Sequence, residues 1–120
     1  MARLLILGAG IAGQTAALHA KNKLGSKHEV VVVSPNSKWN WIPSNIWVGV
    51  GKMKPEQVTF PLAPVYKKTG ITFLQAKALS IHPEGDPKSS DPYVTIEYTL
   101  PEKAGHQGKI TYDYLINATG

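Results

Sequence analysis

The chain opens with an apolar run that leads into a glycine-rich turn. Residues 3–7 are almost entirely apolar, which is typical of a parallel strand covered on both faces. Residues 11–24 contain several alanines that favour a helix, and Gly25 predicts its end. Residues 28–33 are rich in valine and predict a second strand, which a polar turn follows. This order predicts a βαβ unit with parallel strands and a right-handed crossover.

The pattern changes in the middle of the chain. Residues 35–60 hold all three tryptophans together with several prolines and glycines, and they predict a long irregular segment. Compact domains rarely carry such a segment without a functional reason. Residues 61–68 predict a short helix that ends at Gly70, and residues 71–74 predict a third strand.

The last third of the chain reads as strands joined by polar turns. Residues 78–81, 93–100 and 109–112 predict three strands, and the alternation in the second indicates a half-exposed antiparallel meander. Residues 114–118 are apolar again and predict a strand that rejoins the parallel sheet. The pattern predicts one α/β domain over residues 1–120, a parallel sheet with a three-stranded antiparallel meander.

Composition excludes several classes of function. The absence of cysteine removes disulfides, thiolate zinc sites and dithiol redox couples, and no histidine has the spacing of a metal ligand. The net charge of +5 is spread along the chain, which favours a basic surface suited to an anionic cofactor or lipid over nucleic-acid binding. No apolar stretch approaches the roughly 20 residues of a membrane span, and no signal peptide follows Met1, so we expect a cytoplasmic protein.

The first turn carries a dinucleotide-binding motif. Residues 8–13 read G-x-G-x-x-G between a predicted strand and a predicted helix. Gly8 allows a tight exit from the strand, Gly10 lets the backbone approach a pyrophosphate, and Gly13 lets the helix pack closely. Free N–H groups and the helix dipole then face the phosphates. The motif predicts a dinucleotide site, and a turn without a ligand is the alternative.

The second strand ends without the expected acid. Most dinucleotide folds place a ribose-binding carboxylate there, whereas this chain has Ser34, with Asn36 close by. Both side chains can hydrogen-bond to ribose hydroxyls, although the same residues also suit a simple turn. Without a carboxylate a 2′-phosphate is rejected less strongly, and Lys38 stands nearby, so an NADP-type site stays open.

Residues 39–51 form an aromatic cluster that contains Trp39, Trp41 and Trp47. Such a cluster can pack in the core, belong to a cofactor pocket, or meet a hydrophobic partner. Ser44 and Asn45 lie between the aromatic residues, where polar groups can orient a ring system.

Three segments together resemble the sulfide:quinone oxidoreductase family, within the FAD-dependent pyridine nucleotide-disulfide oxidoreductase superfamily. They are residues 6–13, residues 43–51 (Pro-Ser-Asn-Ile-Trp-Val-Gly-Val-Gly) and residues 112–120, which end in Ala-Thr-Gly. The resemblance spans the whole chain in the family's order. It implies a Rossmann-like three-layer FAD/NAD(P)-binding fold and an N-terminal FAD-binding segment of such an enzyme.

The resemblance also implies how FAD is held. The pyrophosphate would lie at the glycine turn, the ribose at the end of the second strand, the adenine against backbone groups, and the flavin near the aromatic segment. The residues implied for the pyrophosphate are Gly8, Gly10, Ile11, Ala12 and Gly13, and those for the ribose are Ser34 and Asn36. Lys77 and Ala78 are implied for the adenine, and Ser44 and Asn45 for the flavin. The segment Ala118, Thr119 and Gly120 would pass beside the dinucleotide.

The chain departs from the full family pattern because the reactive cysteines and the quinone pocket of the family are not in this sequence. In that family, cysteines oxidise sulfide, FAD takes up the electrons, and a membrane quinone accepts them. We therefore predict no catalytic residue here and expect this chain alone to be inactive. Its expected partners are the C-terminal domains of a longer protein, with quinone and peripheral membrane contact through that protein, and self-association of the fragment.

Two other functions remain open from the sequence. One is a related quinone reductase that takes its electrons from NADH. The other is a non-catalytic nucleotide-binding or interaction module that uses the tryptophan-rich segment as its contact surface.

Overall fold

The βαβ unit predicted at the start of the chain is confirmed. In the computed structural model, which describes residues 1–120, strand β1 spans Arg3–Leu7, helix α1 spans Ile11–Leu24, and strand β2 spans Glu29–Ser34. β1 and β2 pair in parallel, and Gly25 ends α1 with its N–H donated to the carbonyl of Lys21.

The remaining elements follow in chain order. They are β3 (Lys38–Asn40), a 3₁₀ turn (Ile42–Ser44), α2 (Asn45–Gly49), α3 (Pro55–Val58), β4 (Thr59–Pro61), α4 (Leu62–Thr69), β5 (Thr72–His82), β6 (Tyr93–Tyr98), β7 (Gln107–Thr111) and β8 (Tyr114–Asn117). The helix predicted before Gly70 is therefore confirmed as α4, and Gly70 closes it in the left-handed conformation.

One six-stranded sheet organises the domain in the order β7-β6-β5-β2-β1-β8. β8, β1, β2 and the first part of β5 are parallel, whereas β5, β6 and β7 pair as an antiparallel meander. The predicted return of the last strand to the parallel sheet is confirmed, because β8 pairs with β1. β3 and β4 form a separate two-stranded antiparallel sheet.

The prediction of separate strands over residues 71–74 and 78–81 is wrong. β5 is one strand of 11 residues that changes partner along its length. Its parallel pairing with β2 ends at Gln75, opposite Ser34, and its antiparallel pairing with β6 begins at Ala76. No glycine or proline interrupts β5, so the backbone stays extended where the polar residues suggested a break.

The prediction of an irregular segment over residues 35–60 is also wrong. The segment contains β3, the 3₁₀ turn, α2, α3 and most of β4. Each of these elements has five residues or fewer, so none shows the several repeats by which periodicity is recognised.

Two apolar clusters lie on opposite faces of the parallel strands. On one face Ile6, Val30 and Val32 pack with residues of α1 and α4 such as Ala17 and Leu62. The cluster on the other face joins the alternate residues of β1 and β2 to the meander and consists of Leu5, Leu7, Val31, Val33, Ala76, Val94, Ile96 and Ile110. The meander therefore covers the face that the helices leave open, which gives three layers.

A buried polar pair links α1 to α4. The hydroxyl of Tyr66, which is fully buried, donates a hydrogen bond to Oε1 of Gln14, which is also buried. Burial raises the pKa of Tyr66 to about 12, because the phenolate would lose its hydration.

We expect Tyr66→Phe to lower the free energy of unfolding by about 1–3 kcal/mol, because Gln14 would keep a buried oxygen without a donor. Chemical denaturation measures the change. Tyr114→Phe is the matched control, since Tyr114 is 67% exposed and should leave stability within about 0.5 kcal/mol of the wild type. Equal stability of Tyr66→Phe and the wild type would contradict a stabilising bond.

The raised pKa of Tyr66 leads us to expect a loss of stability at alkaline pH. Its pKa is raised in the folded state, from 10.0 to about 12, so the stabilisation is fully present below pH 10. It should be lost as the pH rises from about 10 to about 12, because the unfolded chain releases the proton first. The difference in unfolding free energy between the wild type and Tyr66→Phe should therefore shrink over that interval. A difference that stays constant would contradict the raised pKa.

Candidate nucleotide-binding cleft

A cleft of about 700 Å³ opens where the parallel strands end. Parallel sheets bind their ligands at the carboxyl ends of strands, and the ends of β1, β2 and β8 all reach this cleft. Its lining residues are Gly8, Ala9, Gly10, Ile11, Ala12, Val33, Ser34, Pro35, Asn36, Lys38, Asn40, Ile42, Lys77, Ala78, Ala118, Thr119 and Gly120.

The glycine turn is held between the ends of its two neighbouring strands. The N–H of Gly8 donates to the carbonyl of Val33 at 2.8 Å, and the N–H of Ala118 donates to the carbonyl of Leu7 at 2.8 Å. Gly8 has a φ of +98°, and a Cβ atom there would lie 2.3 Å from the carbonyl oxygen of Ala118. Only glycine fits at this position, and the segment after β8 forms one wall of the turn.

Gly13 is required for packing of the helix against the turn. A Cβ atom at Gly13 would lie 2.0 Å from the carbonyl oxygen of Gly8, well inside contact distance. Gly13 does not line the cleft; it lies behind it, where it lets α1 approach the strand. This is the packing role that the motif predicts for its third glycine.

Gly10 is different because it faces open space. A Cβ atom there would meet no other atom within 4 Å, although Gly10 lines the cleft. Its φ of −76° is accessible to any residue, so neither the backbone conformation nor local packing requires glycine. The missing side chain leaves room on the cleft side of the turn.

The N-terminus of α1 is left free for an anion. No side chain hydrogen-bonds to its first turn, and the first turn contains no acidic residue. The first N–H groups of a helix lack partners within the helix, and the helix dipole adds a partial positive charge there. Together with the open space at Gly10, this arrangement fits a pyrophosphate.

At the end of β2, Ser34 is buried and its hydroxyl accepts a hydrogen bond from the N–H of Asn36 at 3.4 Å. This contact shows the turn role that the sequence left as one possibility. Lys38 and Lys77 are the charged residues of the cleft lining, which contains no carboxylate.

The cleft gathers all but three of the residues proposed from the sequence. The exceptions are Gly13, Ser44 and Asn45. Ser44 ends the 3₁₀ turn and Asn45 begins α2, and neither side chain makes a hydrogen bond that fixes it. A role for these two near a flavin therefore stays a prediction.

Sequence reasoning missed several lining residues. Asn40 lies two residues after Lys38, which is the spacing of one face of β3, and Ile42 follows in the 3₁₀ turn. That signal was present, but it was not used because the segment was interpreted as irregular. Val33, Pro35 and Ala9 line the cleft as direct neighbours of residues that were predicted.

The tryptophan-rich segment divides into a packed part and an exposed part. Trp39 packs on Phe60, with ring centroids 5.1 Å apart, and stacks with Trp41 at 5.6 Å. Ile46 and Trp47 on α2 are 67% and 52% exposed. Core packing thus explains Trp39 but not the residues of α2.

The carboxyl group whose pKa is shifted, that of Asp86, lies away from the cleft. A hydrogen bond from Lys109 at 3.0 Å and backbone N–H bonds from Lys88 and Ser89 lower the pKa of Asp86. These residues fasten the β5–β6 turn to β7. The contacts are structural and lend the cleft no proton-transfer group.

None of the helices combines the length and apolar character that a membrane span needs.

Residues 2–120 match the family described as pyridine nucleotide-disulphide oxidoreductase. A similar curated protein is the sulfide-quinone reductase of Aquifex aeolicus (strain VF5), 28% identical over 117 residues, which cover 98% of this chain and 24% of that protein. The mitochondrial external alternative NAD(P)H-ubiquinone oxidoreductase B3 of Arabidopsis thaliana is 29% identical over 120 residues, which cover 98% of this chain and 20% of that protein. The chain thus spans about a quarter or less of the length of these relatives.

Solved structures agree with the sequence matches. The X-ray structure of the Aquifex aeolicus sulfide:quinone oxidoreductase aligns with a TM-score of 0.82 at 28% identity and covers 100% of this chain and 24% of that one. NDH2 of Plasmodium falciparum in complex with NADH aligns with a TM-score of 0.79 at 23% identity, covering 99% and 22%. At that lower identity the likeness shows the fold alone.

Proposed function

We infer the function from one premise: the chain belongs to the pyridine nucleotide-disulphide oxidoreductase family. We propose that it is the FAD-binding N-terminal part of a flavoprotein oxidoreductase. The observation that carries this proposal is the open space at Gly10, in front of a helix N-terminus that no side chain caps. A pyrophosphate needs both the space and the N–H donors.

The residues of the cleft fit the adenosine half of FAD. Gly10, Ile11 and Ala12 would hold the pyrophosphate through backbone N–H groups. Ser34 and Asn36 would hydrogen-bond to the ribose hydroxyls, since no carboxylate stands there. The backbone beside Lys77 and Ala78 would flank the adenine, and residues 118–120 would pass beside the dinucleotide.

When bound, FAD would supply two-electron redox chemistry, which no side chain of this chain offers. The contribution of the chain is to bind the cofactor and to orient it. The hydrogen bonds from Gly8 to Val33 and from Ala118 to Leu7 hold the turn between the ends of β2 and β8, so the proposed phosphate donors would be in place before a ligand arrives. Binding then costs little ordering of the turn.

For the full-length protein we propose electron transfer from sulfide to a quinone, in an enzyme that meets the membrane peripherally. Support comes from the sulfide-quinone reductase relative and from the Pro43–Gly51 segment. Electron transfer from NADH to a quinone is the second candidate, because the Arabidopsis relatives are named NAD(P)H-ubiquinone oxidoreductases at similar identity. The cysteine-free chain is compatible with both.

We expect the full-length protein to purify with bound flavin and its characteristic visible absorbance. Anaerobic addition of sulfide should bleach that absorbance, and a quinone should restore it. Bleaching by NADH but not by sulfide would replace the first candidate with the second. A full-length protein that neither retains nor takes up FAD would contradict the proposed function itself.

A further inference from the structure

We propose that the ribose corner of the cleft is a cationic subsite that accepts a phosphate on a ribose hydroxyl of the bound adenosine. The subsite consists of Ser34, Lys38 and Lys77. The inference rests on the proposed function, because that function places the adenosine in this corner. It goes further because FAD carries no such phosphate, so the subsite gives the cleft a second ligand class of phosphorylated adenosine nucleotides.

The side chains that line the cleft give it a positive charge. Among the lining residues only Lys38 and Lys77 are charged, and both are positive. A carboxylate at the end of β2 would repel a ribose phosphate, and this chain has a serine there. The corner therefore attracts a phosphate where related folds reject one.

The register of the strands places Lys77 beside Ser34. Ser34 pairs with Gln75 in parallel, and Lys77 lies two residues farther along the same strand. Side chains two apart share a face, and at about 3.3 Å per residue Lys77 lies about 7 Å beyond Gln75 along β5. An extended lysine side chain spans that distance.

Lys38 lines the cleft from β3, a different element from that of Lys77. It begins β3, four residues after Ser34, and its alternate neighbours Asn40 and Ile42 also line the cleft. The two lysines thus come from different elements and face one cavity.

No acidic partner neutralises either lysine. The ion pairs of the structure are Arg3–Glu29 and Lys109–Asp86, both outside the cleft. Glu97 lies opposite Lys77 in the β5–β6 register but forms no ion pair with it and does not line the cleft. Both ammonium groups therefore remain available to an anion.

Because both lysines are exposed, each should contribute only modestly to the affinity for the added phosphate, and salt should weaken this attraction. The pair predicts a gain of about three- to tenfold in affinity at low ionic strength for a nucleotide with the added phosphate. The gain should largely vanish near 1 M salt, where the Debye length is about 3 Å.

The test compares nucleotides that differ by one group. The affinities of adenosine 5′-phosphate, adenosine 2′,5′-bisphosphate and adenosine 3′,5′-bisphosphate are measured by equilibrium dialysis on flavin-free protein whose fold is checked by circular dichroism. Tighter, salt-sensitive binding of a bisphosphate supports the subsite, and the preferred isomer shows which hydroxyl carries the phosphate.

Variants then assign the effect to the two lysines. Lys38→Gln should reduce the bisphosphate preference while leaving the affinity for adenosine 5′-phosphate nearly unchanged. Lys77→Gln should also reduce the ratio between the two affinities. Lys88→Gln, which removes one charge in the β5–β6 turn outside the cleft, should leave the preference intact. If Lys88→Gln reduces it equally, net charge explains the effect and the subsite is wrong.

The outcomes separate this proposal from the function on which it rests. Equal binding of all three nucleotides would overturn the subsite and leave the adenosine site standing. Failure of every nucleotide to bind would overturn both.

Discussion

Gly10→Val is expected to abolish FAD binding and leave the fold intact. The Cβ atom would enter open space and the φ of −76° suits any residue, so we expect the turn to keep its conformation. The two methyl groups would occupy the volume proposed for the pyrophosphate. Loss of contact with the phosphates should weaken the affinity at least about 100-fold, since charge-assisted bonds contribute about 1.5–3 kcal/mol each.

Flavin fluorescence titration measures the affinity, and a thermal melt checks the fold. Gly108→Val is the matched control, because a Cβ atom at Gly108 would have no neighbour closer than 3.7 Å and Gly108 lies on β7, outside the cleft. It should leave the affinity for FAD unchanged. An unchanged affinity in Gly10→Val would mean that the turn does not hold the phosphates, whatever else binds there.

Gly13→Ala, in contrast, is expected to damage the fold itself. The new Cβ atom would lie 2.0 Å from the carbonyl oxygen of Gly8, and backbone cannot move aside as a flexible side chain can. α1 would have to shift away from β1, which disturbs the packing of Ala17 against Ile6. We expect the free energy of unfolding to fall by about 3 kcal/mol, the upper part of the usual range for overpacking and a large part of the stability of a domain this size.

Urea denaturation followed by circular dichroism measures this loss. Gly49→Ala provides the comparison, because its Cβ atom meets nothing within 4 Å and alanine favours the helix. It should leave stability unchanged or raise it slightly. If Gly13→Ala were as stable as Gly49→Ala, the close contact between helix and turn would be wrong.

These two glycines show how far the motif alone can be interpreted. G-x-G-x-x-G marks both positions, and the sequence assigns them different roles, space for a ligand and contact with the strand. Only the structure shows that the Cβ atom of a residue at position 13 would meet the carbonyl of Gly8. It also shows that Ala118, more than 100 residues along the chain, closes the same turn.

The sequence predicted those parts of the fold that depend on local pattern. β1 and α1 have the predicted bounds, and β2 begins one residue later than expected. Buried parallel strands are recognised by continuous apolar runs, and Gly25 and Gly70 mark the ends of α1 and α4. The observed bounds of β6 and β7 differ from the predicted ones by up to two residues, since the polar turns beside them give no sharp signal for a strand end.

What local pattern could not predict was the change of partner along β5. At Gln75 the strand leaves β2 and at Ala76 it joins β6, and neither residue signals the exchange. Strand pairing depends on segments distant in the sequence, so it is invisible in a short window. The two-residue spacing of Lys38 and Asn40 was missed because β3 is only three residues long, too short to be recognised in a segment that was interpreted as irregular.

The pairing of β8 with β1 has a consequence for the order of events during synthesis. The first strand leaves the ribosome more than 100 residues before its neighbour, and until then it has β2 on one side alone. The wall that Ala118 provides to the glycine turn cannot exist earlier. We therefore expect that the glycine turn cannot take up a dinucleotide before residue 118 has left the ribosome.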